Sequence, residues 1–197
     1  MKFKGKIIAV TGAAGFIGTH LVEALRRRHA FVIALDNRDF SRDLTLNNCD
    51  NTKFLRCDIR DKEALEEILK ETDVVYHLAA IANPRSCTKD FDSAFEVNVI
   101  GTKNILDASV TAKRFIFTSS AMVYGEPRYL PIDENHPLLG ADSYSITKIM
   151  GEKLCLNYHE NFGLPTTIVR NFNIYGPGQE TAYIIPQLVW QGISEDR

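Results

Sequence analysis

The run Lys6-Ile7-Ile8-Ala9-Val10-Thr11 passes directly into Gly12-Ala13-Ala14-Gly15-Phe16-Ile17-Gly18, and an amphipathic stretch then continues through Arg28. Strand, glycine turn and helix in that order form the context a dinucleotide-binding fingerprint requires. Gly12 permits the tight turn, Gly15 lets the backbone approach a pyrophosphate, and Gly18 allows the helix to pack closely. The helix N-terminus adds free amides and the positive end of a dipole, so an anion can be held without any basic side chain. The glycine spacing departs from G-x-G-x-x-G, and the reading therefore rests on its surroundings. The next apolar run, Phe31 to Leu35, ends in Asp36, where a carboxylate is expected to accept from an adenosine ribose hydroxyl. A carboxylate there repels a 2′-phosphate and favours NAD over NADP. Arg38 could pair with that phosphate and keeps NADP open. Without the glycine turn, Asp36 would read as a solvated turn residue.

Strand-like and helix-like segments alternate along the rest of the chain. Strands are expected at 53–57, 73–78, 114–118 and 166–170, and helices at 62–70, at 91–112 and from Tyr144 to about Asn161. The alternation predicts an α/β fold, a doubly wound parallel sheet of Rossmann type. Segment 125–143, with Pro127, Pro131, Pro137 and Gly140, is a loop long enough to form part of a substrate wall. A chain of 197 residues can bury a sizeable core in one large domain. Its net charge of −2 gives no reason to expect nucleic acid or an anionic membrane as partner. No apolar segment reaches transmembrane length and the N-terminus enters a core strand almost at once, so a cytoplasmic protein without a secretory signal is expected. Cys49, Cys57, Cys87 and Cys155 are scattered without a Cys-x-x-Cys pair, which fits reduced thiols. His20, His29, His77, His136 and His159 lack ligand spacing, and no metal site is expected.

The chemistry is carried by Tyr144, by Lys148 four residues on, and by Ser120 upstream in Thr118-Ser119-Ser120-Ala121-Met122-Val123-Tyr124-Gly125. Positions i and i+4 share a helix face, so the Lys148 ammonium is expected beneath the Tyr144 phenol, lowering its pKa by favouring the phenolate. That makes Tyr144 an acid/base for hydride-transfer chemistry. In an open parallel sheet, ligands bind beyond the carboxyl ends of the strands at the switch in strand order. Gly12, Asp36, Asp58-Ile59, Leu78-Ala79-Ala80 and Ser119-Ser120 all fall on that edge. Asp58 reads equally as a hydrogen-bond partner of an adenine amino group, with Ile59 against the ring, and as a helix N-cap before Arg60-Asp61. Ala79 and Ala80 are small enough to admit a cofactor, or are plain packing residues.

Taken together, these motifs resemble those of extended short-chain dehydrogenases/reductases, in the NAD-dependent epimerase/dehydratase group of nucleotide-sugar enzymes. Gly12 to Gly18 resembles the glycine motif, Asp36-Asn37 the ribose-binding strand end, Asp58-Ile59 the adenine contact, and His77-Leu78-Ala79-Ala80 the fourth-strand motif. Asn98-Val99-Ile100-Gly101-Thr102 is similar to the central helix motif, and Arg170-Asn171-Phe172-Asn173-Ile174-Tyr175-Gly176-Pro177-Gly178 to the sixth-strand segment. The resemblance implies catalytic roles for Ser120, Tyr144 and Lys148. It implies NAD contacts from the glycine motif (Gly12, Gly15, Phe16, Ile17, Gly18), from Asp36, Asn37, Asp58, Ile59, Leu78, Ala79, Ala80 and Asn98, and from Tyr144 and Lys148, with Phe172 by the nicotinamide. Ser120, Tyr144 and Asn173 would meet the substrate, Asn173 on its diphosphate side.

Two departures refine the expectation. Dehydratases of this group carry Asp-Glu after the catalytic hydroxyl residue, whereas Ala121-Met122 follow Ser120 here. Relatives also continue past this point into a further strand and a small substrate domain, while this chain ends at Arg197 soon after the segment from Tyr183 to Gln191. The expectation is thus one NAD-binding Rossmann domain over residues 1–197, lacking the C-terminal substrate domain. The activity implied is 4-epimerisation of a UDP-sugar or similar nucleotide sugar through a 4-keto intermediate, in a homodimer. The alternatives are a sugar-nucleotide reductase or decarboxylase of the same group, and a non-catalytic NAD-binding module.

Overall fold

A computed structural model describes residues 3–39 and 51–195, so Cys49 lies outside the described residues. Six parallel strands form the sheet: β1 (Ile7–Thr11), β2 (Phe31–Asp36), β3 (Thr52–Arg56), β4 (Val74–His77), β5 (Arg114–Ser120) and β6 (Thr166–Asn171). Their spatial order is β3-β2-β1-β4-β5-β6. The chain builds outward from β1 to β3, returns to the other side of β1, and builds outward again. The switch point lies between β1 and β4, and it is outside the carboxyl ends of the strands at such a point that open parallel sheets bind ligands.

Side chains alternate across the sheet with period two, and each face buries its own core. Ile8, Val10, Val32, Ala34 and Val74 meet Val22 and Leu25 of α1 (Phe16–Arg26) on one face. On the other, Ala9, Leu35, Val75, Phe115 and Phe117 meet α2 (Lys62–Leu69), α5 (Thr102–Ala108) and α6 (Ser143–Phe162). Burial on both faces is what the near-continuous apolar character of β1 and β2 demands.

Two helical features depart from the sequence reading. An unanticipated helix, α3 (Pro84–Lys89), is capped by the Asn83 side chain, which accepts from the Arg85 and Ser86 amides, with Pro84 at the first helical position. The single helix expected over 91–112 is instead α4 (Phe91–Phe95), a π-helical stretch (Glu96–Gly101) and α5, which closes at Ser109. Apolar periodicity is blind to this widening. It coincides with Asn98, whose side chain is tied to two other elements, and with Gly101, where a Cβ would come within 2.6 Å of the Ile59 side chain. The residues from Tyr183 to Gln191 fall largely in α7 (Ile184–Glu195), with Ile184, Leu188, Val189, Trp190 and Ile193 exposed.

α6 matters most for chemistry. Asp142 caps it by accepting from the Tyr144 and Ser145 amides, and Gly163, at φ +70°, ends it. Its inward stripe is polar rather than apolar, comprising Tyr144, Lys148, Glu152 and Cys155 along one face. Gly151 lets this stripe sit against β5, because a Cβ there would come within 2.5 Å of the Phe117 ring.

Candidate active site

The turn after β1 is built by steric necessity. Gly12 has φ +69°, and a Cβ on it would come within 2.8 Å of the Ala79 amide nitrogen. A Cβ on Gly18 would lie 2.1 Å from the Gly12 carbonyl oxygen, so only glycine lets α1 start this close to the turn. Asp36, 6 % exposed at the end of β2, accepts from the Ala14 amide at 3.0 Å and thereby pins the turn to the neighbouring strand. It also accepts from the Arg38 amide at 3.0 Å and from Arg38 Nε at 3.2 Å. A carboxylate has about four acceptor positions, so Asp36 retains capacity for a ribose hydroxyl beside its internal bonds.

Beyond β2 and β3 an open pocket of about 520 Å³ is lined by Asn37, Arg56, Cys57, Asp58, Asp61 and Ala64. Asp58 chelates Arg60 at 2.9 and 2.7 Å, and that hydrogen-bonded guanidinium lowers its pKa. The N-cap reading of Asp58 is corrected, for Asp61 caps α2 by accepting from the Ala64 amide. Ile59 is 6 % exposed, and its side chain joins the core opposite Gly101. Phe16 and Ile17 lie on the first turn of α1, half-buried and exposed respectively.

The end of β4 is fixed by a buried relay absent from the sequence reading. Thr102 Oγ1 donates to the Asn98 carbonyl, so it must accept from His77 Nε2 at 2.9 Å. Nδ1 of the neutral ring then accepts from the Thr11 hydroxyl at 2.7 Å, and Thr11 Oγ1 accepts from the Leu78 and Ala79 amides. Burial pushes the His77 pKa down to about 3 and keeps the ring neutral, as this chain of donors requires. The chain holds Leu78-Ala79-Ala80, all half-buried, beside the switch point. Asn98 is 2 % exposed. Its side chain accepts from the Ile81 amide at 2.8 Å and donates to the Ile81 carbonyl and to Thr147 Oγ1. Its amide is thus engaged in tying the π-helical stretch to the β4 loop and to α6.

Ser120, Tyr144 and Lys148 converge at the end of β5. Ser120 caps a short 3₁₀ turn, accepting from the Met122 amide at 3.2 Å. The Lys148 ammonium donates to the Thr118 carbonyl at 2.8 Å and lies 5.9 Å from the centre of the Tyr144 ring. The expected effect on Tyr144 is corrected by its surroundings. Burial raises the phenol pKa to about 12, against the lowering effect of the Ser120 hydroxyl. Burial likewise brings Lys148 down to about 8. Desolvation dominates both shifts because both groups are more than nine-tenths buried. The ligand-free phenol therefore holds its proton at neutral pH.

A second buried cluster also lay outside the sequence reading. Glu152, 1 % exposed and one turn past Lys148, accepts from Ser119 Oγ at 2.6 Å and from Arg170 Nε and Nη2 at 3.0 and 2.8 Å. Arg170 Nη1 reaches the Tyr124 hydroxyl and the Glu134 carbonyl, both at 3.1 Å. This one ion pair therefore joins β5, α6, β6 and the 125–143 loop around the reacting groups. The recurrence of Glu152 at i+4 from Lys148 was its only trace in the sequence. That loop walls a pocket of about 470 Å³ with Ile132, Asp133 and Glu134, facing Ile168, Val169 and Arg170 of β6. Phe172 and Asn173, just past β6, are both exposed, and Phe172 lies 6.4 Å from the Tyr124 ring. Among the described residues no cluster of His, Cys, Asp or Glu could hold a metal ion, and no helix is long and apolar enough to cross a membrane.

The family model for the NAD dependent epimerase/dehydratase family matches residues 8–193. The chain belongs to that family. A protein of Methanocaldococcus jannaschii, provisionally named a UDP-glucose 4-epimerase, is 40% identical over 182 residues, covering 88% of this chain and 58% of its own length. A UDP-N-acetyl-alpha-D-glucosaminuronate decarboxylase of Bacillus cytotoxicus is 37% identical over 201 residues, covering 95% of this chain and 61% of its own. Among solved structures, the UDP-N-acetylglucosamine 4-epimerase of Methanobrevibacter ruminantium, in complex with UDP-N-acetylmuramic acid, superposes with a TM-score of 0.91 at 32% identity. The match covers 98% of this chain and 64% of that one. The chain thus spans about three-fifths of the length of these family members.

Proposed function

We propose that this chain forms the cofactor-binding and catalytic part of an NAD-dependent nucleotide-sugar 4-epimerase. The observation that carries the reading is the convergence of Ser120, Tyr144 and Lys148 on the carboxyl edge of the sheet, beside the switch point and the Gly12 turn. The glycine cradle and the pocket beside Asn37 and Asp58 fit the phosphate and adenosine portions of NAD. Bound NAD would supply a hydride acceptor and donor for the sugar C4, together with a positive ring that favours a phenolate nearby. Tyr144 takes the proton of the sugar 4-hydroxyl as C4 loses hydride, and returns it after the flat 4-keto sugar has turned its other face. Ser120 hydrogen-bonds the same oxygen. Lys148, held by the Thr118 carbonyl, supplies positive charge near the phenol and a donor for the nicotinamide ribose. Phe172 and Asn173, exposed just past β6, are assigned to the nicotinamide and to the substrate diphosphate on the strength of the family resemblance.

Ala121-Met122 after Ser120 supports this assignment over dehydration, which needs an additional acid/base pair. The decarboxylase relative supports a second reading, oxidation at C4 with the hydride passing to NAD, followed by loss of carbon dioxide from the 4-keto uronic acid and uptake of a proton in its place. The two differ in the substrate consumed: a UDP-hexose for epimerisation, a UDP-uronic acid with release of carbon dioxide for decarboxylation. Phe91, Met150, Leu156 and Phe162, exposed on α4 and α6, support a homodimer through these helices.

Calorimetric titration should give NAD at least a tenfold advantage over NADP, about 1.4 kcal/mol. Equal affinities would overturn the role of Asp36. Since the chain spans about three-fifths of its relatives, the 197-residue polypeptide is expected to bind NAD and to turn over UDP-glucose and related nucleotide sugars slowly. Replacing Tyr144 by Phe should reduce that turnover about a hundredfold or more and leave NAD binding in place. Undiminished turnover would assign the proton transfer to another group.

A further inference from the structure

We propose that the segment following β6 is a strap across the carboxyl edge of the sheet, latched to α1 by His20, and that His20 thereby sets how long NAD stays bound. The inference rests on the NAD-binding reading above and adds to it a positioning residue that touches neither the sugar nor the reacting atoms.

The strap is anchored at its root in the sheet, where Asn171 pairs with Ser120. Its tip lies on a distant element. His20 Nε2 donates to the Pro177 carbonyl at 2.9 Å, and because a carbonyl only accepts, Nε2 must carry the hydrogen. Both the neutral ring in that tautomer and the cation provide this donor. The His20 ring stands edge-on to Phe16, centroids 5.4 Å apart and planes at 89°. The same Phe16 ring lies against the strap, since a Cβ on Gly176 would contact its Cζ at 3.5 Å. Phe16 is the first residue of α1, immediately after Gly15, at the helix end whose amides would face a pyrophosphate.

The endpoints dictate the path. α1 follows β1, whereas Asn171 ends β6, and β4 and β5 lie between those strands. Three strand spacings amount to about 14 Å. The six residues from Asn171 to Pro177 span at most about 20 Å when extended. The shortest path between these endpoints, well within the reach of the segment, crosses the carboxyl edges of β4 and β5, over the ground between the glycine turn and Ser120. Its tip is stiffened by a turn in which the Gln179 amide donates to the Gly176 carbonyl, Gln179 Nε2 donates to the Ile174 carbonyl and Gly178 adopts φ +84°. A dinucleotide lying along this edge would leave only when the latch opens. By contrast, Phe172 at the root is 60 % exposed and available to a ligand beneath or beside it.

The test measures release of NADH from the 197-residue chain, followed by its fluorescence after mixing with excess NAD, for the wild type, His20→Ala and His20→Gln. His20 is exposed, so neither substitution disturbs the core. Loss of one hydrogen bond should speed release by about threefold to tenfold in His20→Ala. His20→Gln, which keeps a side-chain donor, should recover at least part of the slow release. Hydrogen exchange in the ligand-free proteins supplies a readout independent of the cofactor. The Gln179 amide should exchange faster in His20→Ala than in the wild type, with the amides of β1 unchanged. Equal NADH release and equal Gln179 exchange in all three proteins would overturn the latch and leave the cofactor assignment standing. A wild-type chain that binds no NADH would overturn both.

Discussion

Replacing Arg170 by Met probes the buried ion pair that joins the elements of the site. Glu152 is 1 % exposed, and in the variant it keeps only the Ser119 hydroxyl as a partner, losing two charge-assisted hydrogen bonds of 2.8 and 3.0 Å. Breaking one side of a buried pair costs about 3–5 kcal/mol, because the remaining charge stays desolvated. The unfolding entropy of a 197-residue chain is about 0.4 kcal/mol per kelvin, so the melting temperature should fall by about 7–12 °C. Glu152→Gln is the milder lesion. It retains a carbonyl acceptor, and the Arg170 side chain, 19% exposed, keeps the Tyr124 hydroxyl, the Glu134 carbonyl and access to water. Its cost should be about 1–3 kcal/mol, a fall of about 2–7 °C. The double variant should fall by less than the sum of the two, because the second substitution removes an interaction already lost. Thermal unfolding of the four proteins at neutral pH completes the cycle. If Arg170→Met melts no lower than Glu152→Gln, or the two effects simply add, the ion pair does not hold these elements together and the reasoning fails.

Three further outcomes follow from the same geometry. Gly18→Ala places a Cβ 2.1 Å from the Gly12 carbonyl oxygen, so α1 must shift off the turn and NAD affinity should fall at least tenfold; calorimetry showing wild-type affinity would refute the close-packing argument. Lys148 is held at about 8 against an ordinary 10.5, so burying the cation opposes folding below about pH 8, and this penalty fades as pH rises towards 10.5. Lys148→Met should therefore raise the melting temperature at pH 7 while abolishing turnover, and a lower melting temperature would contradict the burial cost. Asp73, bonded by Lys113, the Ile7 amide and Lys6, is lowered from 3.8 to about 2. Its stabilisation is complete above 3.8 and lost as pH falls through about 2, so denaturant titrations should find Asp73→Asn weaker at pH 6 and the gap to the wild type closing as pH falls from 3.8 to below 2.

Features that depend on short-range pattern were legible in the chain alone. Apolar runs alternating with helical periods require a parallel sheet with crossovers, and Gly12, Gly15 and Gly18 between the first strand and helix specify a turn that only small residues can make. Those constraints act over a few residues and survive in any compact arrangement of the chain. The i, i+4 spacing of Tyr144 and Lys148 likewise fixed a shared helix face. It could not fix the balance between burial and attraction, because desolvation depends on what Phe117, Cys87 and the 3₁₀ turn bring around that face. The π-helical stretch was illegible for the same reason: it coincides with Asn98 bonds to Ile81 and Thr147, 17 and 49 residues away. The His77 relay, the Glu152–Arg170 pair and the His20–Pro177 latch join residues 66, 18 and 157 positions apart. Nothing local in the chain marks such partners. Only the folded sheet, by setting strand order and by removing water from the groups between its layers, decided which of them would meet and which would keep their charge.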